Sequence, residues 1–296
     1  MKNQITCLSF FLMTLVTLQG QVVQESLPGA EEISNRRTSF NLDEIKVRWK
    51  KAALENCTGV PCVVTPPAPS FTCGTSTVSD IDGNAYNTVL IGTQCWIKSN
   101  LKVTKYNDGT AIPLDATGGS DGITGGENWS TQLSGAYTIY GNEASSGTNV
   151  TNYGYLYNWY AVSDLRKLCP TGWHVPTRGE WIALETQLGG PSFAVGAGGK
   201  MKLNSPLWDA TPFTTVQGNN SSGFSGLPGG IRTGNNGNPS QGMFDYGRGR
   251  GYFWSASAES TPGYAYARVL NASNNSLSTD SFSRFSEGQS VRCLRD

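Results

Sequence analysis

The sequence predicts an α+β domain made of short antiparallel strands, long loops and a pair of helices. Glycine accounts for 36 of the 296 residues, aromatic residues for 10% and charged residues for only 15%, so turn formers and core-forming rings outweigh charge. This balance is typical of a packed domain rather than a disordered chain. Short β-like runs separated by Gly, Asn and Ser fill the C-terminal third, and a capped amphipathic helix precedes them.

An export signal is predicted at residues 1–20. Lys2 precedes an apolar run from Ile5 to Leu18, which is the arrangement of a secretory signal peptide and too short for a membrane span. No other segment predicts a membrane span. We therefore expect a secreted or cell-surface protein. Removal of Cys7 with the signal leaves six of the seven cysteines, and an even number in an exported chain favours disulfides over metal or redox sites.

A helical segment is expected before the main domain. Asn41 and Glu44 have the spacing of a capping box, and apolar residues then recur at helical intervals. The helix predicted over 42–52 is either an assembly surface or a spacer lying on the domain. Its basic run, Lys46–Lys51, is interpreted as a solvated face, because a formal net charge of zero provides no surface for nucleic acid.

The domain boundary is predicted after a proline-rich linker. Cys57 and Cys62 flank a short Gly/Pro loop that a local disulfide would close, and the prolines of 65–69 then favour an extended connection. We assign 21–70 to the N-terminal segment and 71–296 to the main domain.

The main domain is predicted to begin with a β-hairpin. Strands over 77–81 and 85–91 flank Asp82-Gly83, a pair that favours a tight two-residue turn. Cys73 and Cys95 lie at the outer ends of this hairpin, so we expect them to pair. A calcium loop over Asp80, Asp82 and Asn84 is a weaker interpretation, because the glycine spacing and terminal glutamate of helix-loop-helix calcium sites are absent from this segment.

Two helices are predicted in the middle of the chain. The first begins in the aromatic stretch 153–162. The second is capped by Thr177 and Glu180, carries an apolar stripe and stops at Gly189. The later β-like runs cover 224–232, 251–256, 265–270 and 289–294, and their spacing is typical of a meandering antiparallel sheet.

Several motifs, in order along about three quarters of the chain, resemble those of the Fibrobacter succinogenes major paralogous domain family. They are Val89–Ile97 with Asn100-Leu101, Gly154–Trp159, Cys169–Thr177 with Glu180-Trp181, Phe253–Ser255 and Ser290–Cys293. The resemblance implies a C-type lectin-like fold, in which two helices pack on a twisted antiparallel sheet and long loops form the ligand face. It also implies a disulfide from the helical region to the terminal strand, here Cys169–Cys293, and an exported protein of Bacteroidota or related bacteria.

Catalytic alternatives are weaker than a structural interpretation. His174, the single histidine, follows Cys169 by five residues and would be the base for a thiol nucleophile. The formylglycine-generating enzymes share a lectin-like fold and resemble this chain around Gly229–Arg232, but they use two cysteines near the C-terminus, where this chain has Cys293 alone. Glu180 and Glu185 are interpreted as solvated charges. We expect no catalytic activity, no metal and no cofactor.

A binding module for a glycan or a cell-surface protein is the favoured function, and a structural or adhesin-like surface component is the second. The resemblance places the ligand face in the loops between Lys200 and Gly251, where rings, carboxylates and amides are mixed. The predicted ligand-binding residues are Trp208, Asp209, Asn235, Asn236, Phe244, Asp245 and Tyr246. The alternative is that these rings only anchor the loops. Calcium is not expected to be required, because the sequence lacks the Glu-Pro-Asn, Gln-Pro-Asp and Trp-Asn-Asp triplets of calcium-dependent lectins.

Overall fold

Strands dominate the computed structural model, which describes residues 70–117, 127–189, 196–234 and 242–296. The strands in these ranges are β1 (Thr77–Ser79), β2 (Ala85–Ile91), β3 (Gln94–Ile97), β4 (Tyr137–Thr138), β5 (Leu156–Tyr157), β6 (Trp173–His174), β7 (Ile231–Arg232), β8 (Phe244–Asp245), β9 (Arg250–Ala258), β10 (Tyr264–Asn271), β11 (Leu277–Arg284) and β12 (Leu294–Arg295). The α-helices in these ranges are α1 (Glu127–Thr131), α2 (Thr148–Tyr153), α3 (Trp159–Val162), α4 (Arg178–Leu188) and α5 (Ala197–Met201), and a 3-10 helix spans Tyr140–Asn142.

The signal peptide, the helix predicted over 42–52, the linker and the pair Cys57 and Cys62 lie outside the described residues. One compact unit spans Ser70–Asp296. Within the described ranges, no helix is long and apolar enough to cross a membrane. The domain is therefore an α+β fold with more strand than helix.

A five-stranded antiparallel sheet joins the two ends of the domain. Its strand order is β1-β2-β3-β12-β6, so the C-terminal strand inserts between strands from the first half of the domain. Leu294 of β12 pairs with Trp96 on one side and with His174 on the other. The C-terminal strand β12 therefore bridges β3 and β6 within this sheet.

The first hairpin forms, but its turn is wider than a two-residue Asp-Gly turn. Ser79 pairs with Ala85, so residues 80–84 make the connection. The Asp80 carboxylate accepts hydrogen bonds from the backbone amides of Asp82 and Asn84 at 3.0 and 2.9 Å. This side-chain turn replaces ladder bonds that the tight turn would have used, and the prediction of a two-residue turn was wrong for that reason.

The structure contains the Cys73–Cys95 disulfide, with Cα atoms 5.9 Å apart. Cys95 does not lie at the end of β2. It lies on β3, which folds back along β2 so that Cys95 is opposite Leu90. The bridge therefore ties the start of the domain to its third strand.

A three-stranded antiparallel sheet, in the order β11-β10-β9, forms the second β layer. Strands β9 and β10 coincide with two of the predicted runs. Strand β11 was not predicted, because its Ser-rich sequence has little apolar alternation. Only Ile231–Arg232 and Leu294–Arg295 are strands in the other two predicted runs.

The helix α4 begins and ends where the sequence predicts. The Thr177 hydroxyl accepts from the Glu180 amide at 3.3 Å, and the Glu180 carboxylate accepts from the Thr177 amide at 2.8 Å, which completes the capping box. Trp181, Leu184 and Leu188 form its buried face, and Gly189 ends it at a φ of 132°. Residues within α4 and directly beside it were therefore sufficient to predict where this helix begins and ends.

The helix predicted to begin in the stretch 153–162 is not continuous through it. The helix α2 ends at Tyr153, a short strand follows, and α3 is only four residues long. Gly154 has a φ of 68°, and a side chain there would approach the Leu101 carbonyl oxygen to 2.7 Å. Tyr157 then exchanges two backbone hydrogen bonds with Gln289, so tertiary pairing replaces helical bonds. Among the described helices, α4 alone exceeds six residues.

A small cluster of Ile231, Tyr252 and Val269 and two large clusters of buried side chains form the core. One surrounds Tyr157 and Trp254 and includes Cys169 and Cys293. The other contains Trp96 and Trp181 with Phe224 and Phe253. The fully buried guanidinium of Arg292 lies over Phe224 at 4.4 Å and donates to the Asn100 side chain at 2.7 Å and to the Phe224 carbonyl at 2.7 Å. Burial lowers the pKa of Arg292 to about 9.

Candidate functional site

Of the three aromatic residues predicted to bind a ligand, Tyr246 is the one that exposes its ring most at the surface. Its side chain is 43% exposed and follows directly after β8. We call the surface formed by Asp209, Asp245, Tyr246, Arg248 and Arg250 the Tyr246 face. The position of this face in the domain depends on the packing of β7 and β8.

Phe244 is one of these anchors rather than a surface ring. Its ring lies 5.3 Å from that of Tyr140, and the buried guanidinium of Arg232 lies 5.1 Å from the Phe244 centroid. Arg232 also lies over Trp129 and donates to the Asp115 carbonyl at 2.9 Å. Arg232, the last residue of the Gly229–Arg232 motif, therefore fixes the base of the β7-β8 hairpin.

The Tyr246 ring is backed by a cation and a second ring. Arg250 Cζ lies 4.0 Å from the Tyr246 centroid, and the Tyr252 ring lies 6.0 Å away. Arg250 Nη1 donates to the Tyr252 hydroxyl at 3.1 Å, which fixes the guanidinium. Burial raises the pKa of Tyr252 to about 12. Tyr246 itself adopts a φ of 54°, and its amide donates to Asp245 Oδ1 at 2.6 Å.

Asp209 reaches the same face through its neighbour Arg248. The Asp209 amide donates to the Arg248 carbonyl at 2.9 Å, and the Asp209 carboxylate lies 3.8 Å from the Arg248 guanidinium. Hydrogen bonds from the Thr211 side chain and amide lower the pKa of Asp209. Both charges stay accessible, because each side chain is at least one-third exposed.

Trp208 corrects the predicted site. Its side chain is only 2% exposed and packs in the core cluster that contains Trp181 and Phe253. The indole therefore offers no face to a ligand, since its area is used to bury the loop against the core. Asn235 and Asn236 lie outside the described residues. Of the predicted set, the structure brings Asp209, Asp245 and Tyr246 together at the surface.

Cys169 is not a thiol in this structure. It is joined to Cys293 by a disulfide with Cα atoms 5.8 Å apart, and both residues are buried. His174 lies between two carboxylates: its Nε2 is 2.9 Å from Glu180 Oε1, and its Nδ1 is 2.6 Å from Asp296 Oδ1. The nucleophile and base of the thiol alternative are thus both engaged in structural contacts.

Glu180 and Glu185 do not share a solvated surface. Burial raises the pKa of Glu180, but hydrogen bonds from Thr177 and His174 outweigh it and leave that pKa below its ordinary value. Glu185 is 1% exposed and forms an ion pair with buried Arg268. The interpretation of Glu185 as a solvated charge was wrong, because α4 turns that residue toward β10.

The carboxylates of the Asp80 loop are occupied by protein donors. The second oxygen of Asp80 accepts from Asn84 Nδ2 at 2.9 Å and from the Tyr86 hydroxyl at 2.6 Å. Asp82 accepts from the Thr104 hydroxyl at 2.8 Å and lies 3.2 Å from Lys105 Nζ. In the described part of the chain, no three His, Cys, Asp or Glu side chains are grouped as metal ligands.

Sequence reasoning missed the arginines of the Tyr246 face. The run Tyr246–Tyr252 alternates glycine with tyrosine and arginine, and that composition was the available signal. The positive φ values of this loop belong to Tyr246 and Arg248, whereas Gly247 leaves room for the Tyr140 ring, which a side chain there would overlap. Tyr140 contributes from elsewhere, since its hydroxyl accepts from the Gly247 amide at 3.0 Å.

A model of the Fibrobacter succinogenes major domain family matches residues 89–295. The match covers the Tyr246 face and the Cys169–Cys293 disulfide. Comparisons with curated proteins and with solved structures give no significant match.

Proposed function

Because the chain belongs to the Fibrobacter succinogenes major domain family, we propose that it is an exported, non-catalytic binding module with a C-type lectin-like fold. The export signal predicted at residues 1–20 supports a secreted or cell-surface location. The ligand is a glycan or a cell-surface protein, and binding takes place at the Tyr246 face.

The exposed and supported ring of Tyr246 is the observation that carries this proposal. A tyrosine held by Arg250 below it loses little conformational freedom when a sugar ring or a partner side chain packs on it. Asp245 is exposed beside the ring, and Asp209 and Arg248 add a carboxylate and a guanidinium. A flat ring surrounded by hydrogen-bonding groups suits a hydroxyl-rich ligand.

Calcium has no role in the proposed mechanism. The ligand contacts come from a ring, an arginine and two carboxylates that already have protein partners: Asp209 accepts from the Thr211 amide at 2.9 Å, and Asp245 accepts from the Tyr246 amide. Each carboxylate keeps an oxygen to accept from ligand hydroxyls.

A glycan array probed with the mature protein tests the proposal. Tyr246→Ala is expected to lose about tenfold in affinity for a captured glycan, because one stacked ring contributes roughly 1 kcal/mol or more. Tyr246→Phe keeps the ring and should retain most of the affinity. Leu165→Ala, which changes a 96% exposed apolar residue elsewhere, is the control for a general surface effect.

A ligand whose affinity is unchanged by Tyr246→Ala, in a protein that folds normally, would contradict the assignment of this face. A protein that captures no glycan and no cell-surface protein, yet assembles with itself, would favour the structural or adhesin-like alternative.

The alternative that the protein is a formylglycine-generating type of oxidase, which would convert a peptide cysteine to an aldehyde, has a separate test. The mature protein should leave a cysteine-containing peptide unchanged with or without copper, as judged by peptide mass. The physical reason is that Cys293 is bonded to Cys169 in a buried disulfide and so carries no free thiol. Formation of an aldehyde would overturn the non-catalytic proposal.

A further inference from the structure

A separate open cleft lies where the start of β10 and the end of β11 meet residues of α1 and α3. Its volume is about 560 Å³, and its wall includes Gln132, Leu133, Tyr160, Tyr264, Arg284 and Phe285. Pockets that hold small ligands are commonly about 300–1,000 Å³ in volume. None of these residues belongs to the Tyr246 face.

The aromatic part of this cleft is fixed by packing. Phe285 stacks on Trp159 with centroids 4.2 Å apart and ring planes 13° apart, and Tyr160 meets Phe285 edge-on at 5.8 Å. Backbone bonds hold the same residues: the Trp159 amide donates to the Phe285 carbonyl at 2.8 Å, and the Phe285 amide donates to the Gly263 carbonyl at 2.8 Å. A ligand would meet rings that are already ordered.

The charge in the cleft comes from Arg284. It is directly opposite Tyr264 across β10 and β11, and its guanidinium carbon lies 5.1 Å from the Tyr264 ring centroid. None of the described residues that line the cleft is acidic. Arg284 forms no ion pair within 4.0 Å with any side chain that the structure describes.

One described acidic side chain acts on this cation without forming an ion pair with it. Glu287 is electrostatically coupled to Arg284, but burial raises the pKa of Glu287 and its carboxylate accepts from Gln289 Nε2 at 3.1 Å. The half-buried Arg284 guanidinium, which lies against the Tyr264 ring, therefore faces the cleft without an ion pair to any carboxylate that the structure describes, and an anionic ligand would complete it.

We propose that this cleft binds an acidic saccharide, with the sugar carboxylate on Arg284 and the sugar ring against Tyr160 and Tyr264. Aromatic rings beside amide and hydroxyl groups match the alternating apolar and hydroxyl surfaces of a sugar. Leu133, which is 81% exposed at the rim, adds apolar contact area. This site goes beyond the proposed function, because it is distinct from the Tyr246 face and selects for charge.

Amide chemical-shift titration of the mature protein with sodium D-glucuronate tests this site, with D-glucose as the neutral control. Glucuronate should shift the amides of Gly263 and Arg284 at millimolar concentration, and glucose should bind at least about tenfold more weakly, because it lacks the charge-assisted bond. Arg284→Met should lower glucuronate affinity by about the same factor. Arg166→Met, which removes another tyrosine-stacked arginine outside both the cleft and the Tyr246 face, should leave it unchanged.

The wild-type comparison of the two sugars needs no variant, and Arg284→Gln serves if Arg284→Met does not fold. Equal affinities for glucuronate and glucose, shifts confined to the Tyr246 face, or an unchanged affinity in a folded Arg284 variant would each overturn the proposal. Displacement of glucuronate by an equal concentration of a short polyglutamate peptide would also overturn it, since the cleft would then recognise carboxylates without selecting a sugar. An unchanged glycan affinity in a folded Tyr246→Ala variant would contradict only the proposed function, so the two failures are distinguishable.

Discussion

Glu185 and Arg268 form an ion pair inside the core, where their side chains are 1% and 0% exposed. Arg268 Nε donates to Glu185 Oε1, which links α4 to β10 across 83 residues of sequence. Both charges are removed from water, so each depends on the other for its stability.

Replacing one partner of this pair should be strongly destabilising. Glu185→Leu removes the carboxylate that accepts from Arg268 Nε in the core, which is expected to lower the free energy of unfolding by about 3–5 kcal/mol. The double variant Glu185→Leu with Arg268→Met should recover most of that loss, because no charge remains buried. Urea unfolding of the two single variants and the double variant measures the coupling. A double variant no more stable than the singles would contradict this account.

The Cys169–Cys293 disulfide should dominate the resistance of the domain to unfolding. It spans 124 residues of sequence, and the entropy of closing so long a loop predicts a stabilisation of about 4–5 kcal/mol. We expect Cys293→Ser to fold poorly at 37 °C. Intact mass before and after reduction should indicate three disulfides in the mature protein, with Cys57–Cys62 as the third. Alkylation of Cys169 in the native, unreduced protein would contradict the structural role of this bridge.

Lys202 should make stability depend on alkaline pH. Its Nζ donates to the Asn271 and Asn274 carbonyls at 2.9 and 2.7 Å, and burial lowers the pKa of Lys202 to about 8 from the ordinary 10.5. Between these values the unfolded chain holds a proton that the folded chain has released. The contribution of Lys202 therefore raises the free energy of unfolding as pH rises from 8 towards 10, by at most about 1.4 kcal/mol per pH unit.

The measurement is the free energy of unfolding at several pH values for the wild type and for Lys202→Met. The free energy of unfolding of Lys202→Met should lack this rise, because the variant has no group titrating there. It should therefore fall relative to that of the wild type as pH increases above 8. Lys200→Met controls for the loss of a lysine that is only half-buried and donates to the Leu188 carbonyl. Parallel curves for wild type and Lys202→Met would contradict the prediction.

Chelation should leave the Asp80 loop intact. Because both Asp80 oxygens accept from protein donors, EDTA is expected to change neither the melting temperature nor ligand capture. Asp80→Ala should cost about 1–3 kcal/mol, since the buried Tyr86 hydroxyl loses its acceptor. Asp108→Ala, at an exposed turn, is the matched control. A clear fall in melting temperature with EDTA would indicate that this loop binds a metal ion and would contradict the prediction.

Local signals in the amino-acid sequence determined several elements on their own. The capping box of Thr177 and Glu180 predicts α4 because both partners lie within one helical turn. The motifs from Val89 onward identify the family, whose model matches the same region. The family implied the Cys169–Cys293 pair, and the hairpin argument reached the Cys73–Cys95 pair although the detailed route of the strands differed.

Contacts between distant segments had to come from the tertiary structure. The sequence marks Trp208 as an aromatic residue in a loop, but packing with Trp181 and Phe253 decides that it is core. Arg284 and Tyr264 lie opposite each other only because β10 and β11 pair in one register, and Glu185 meets Arg268 only because α4 packs against β10. A short-range pattern specifies hydrogen bonds within one turn, whereas the burial and charge pairing of a side chain depend on chain segments that folding brings beside it.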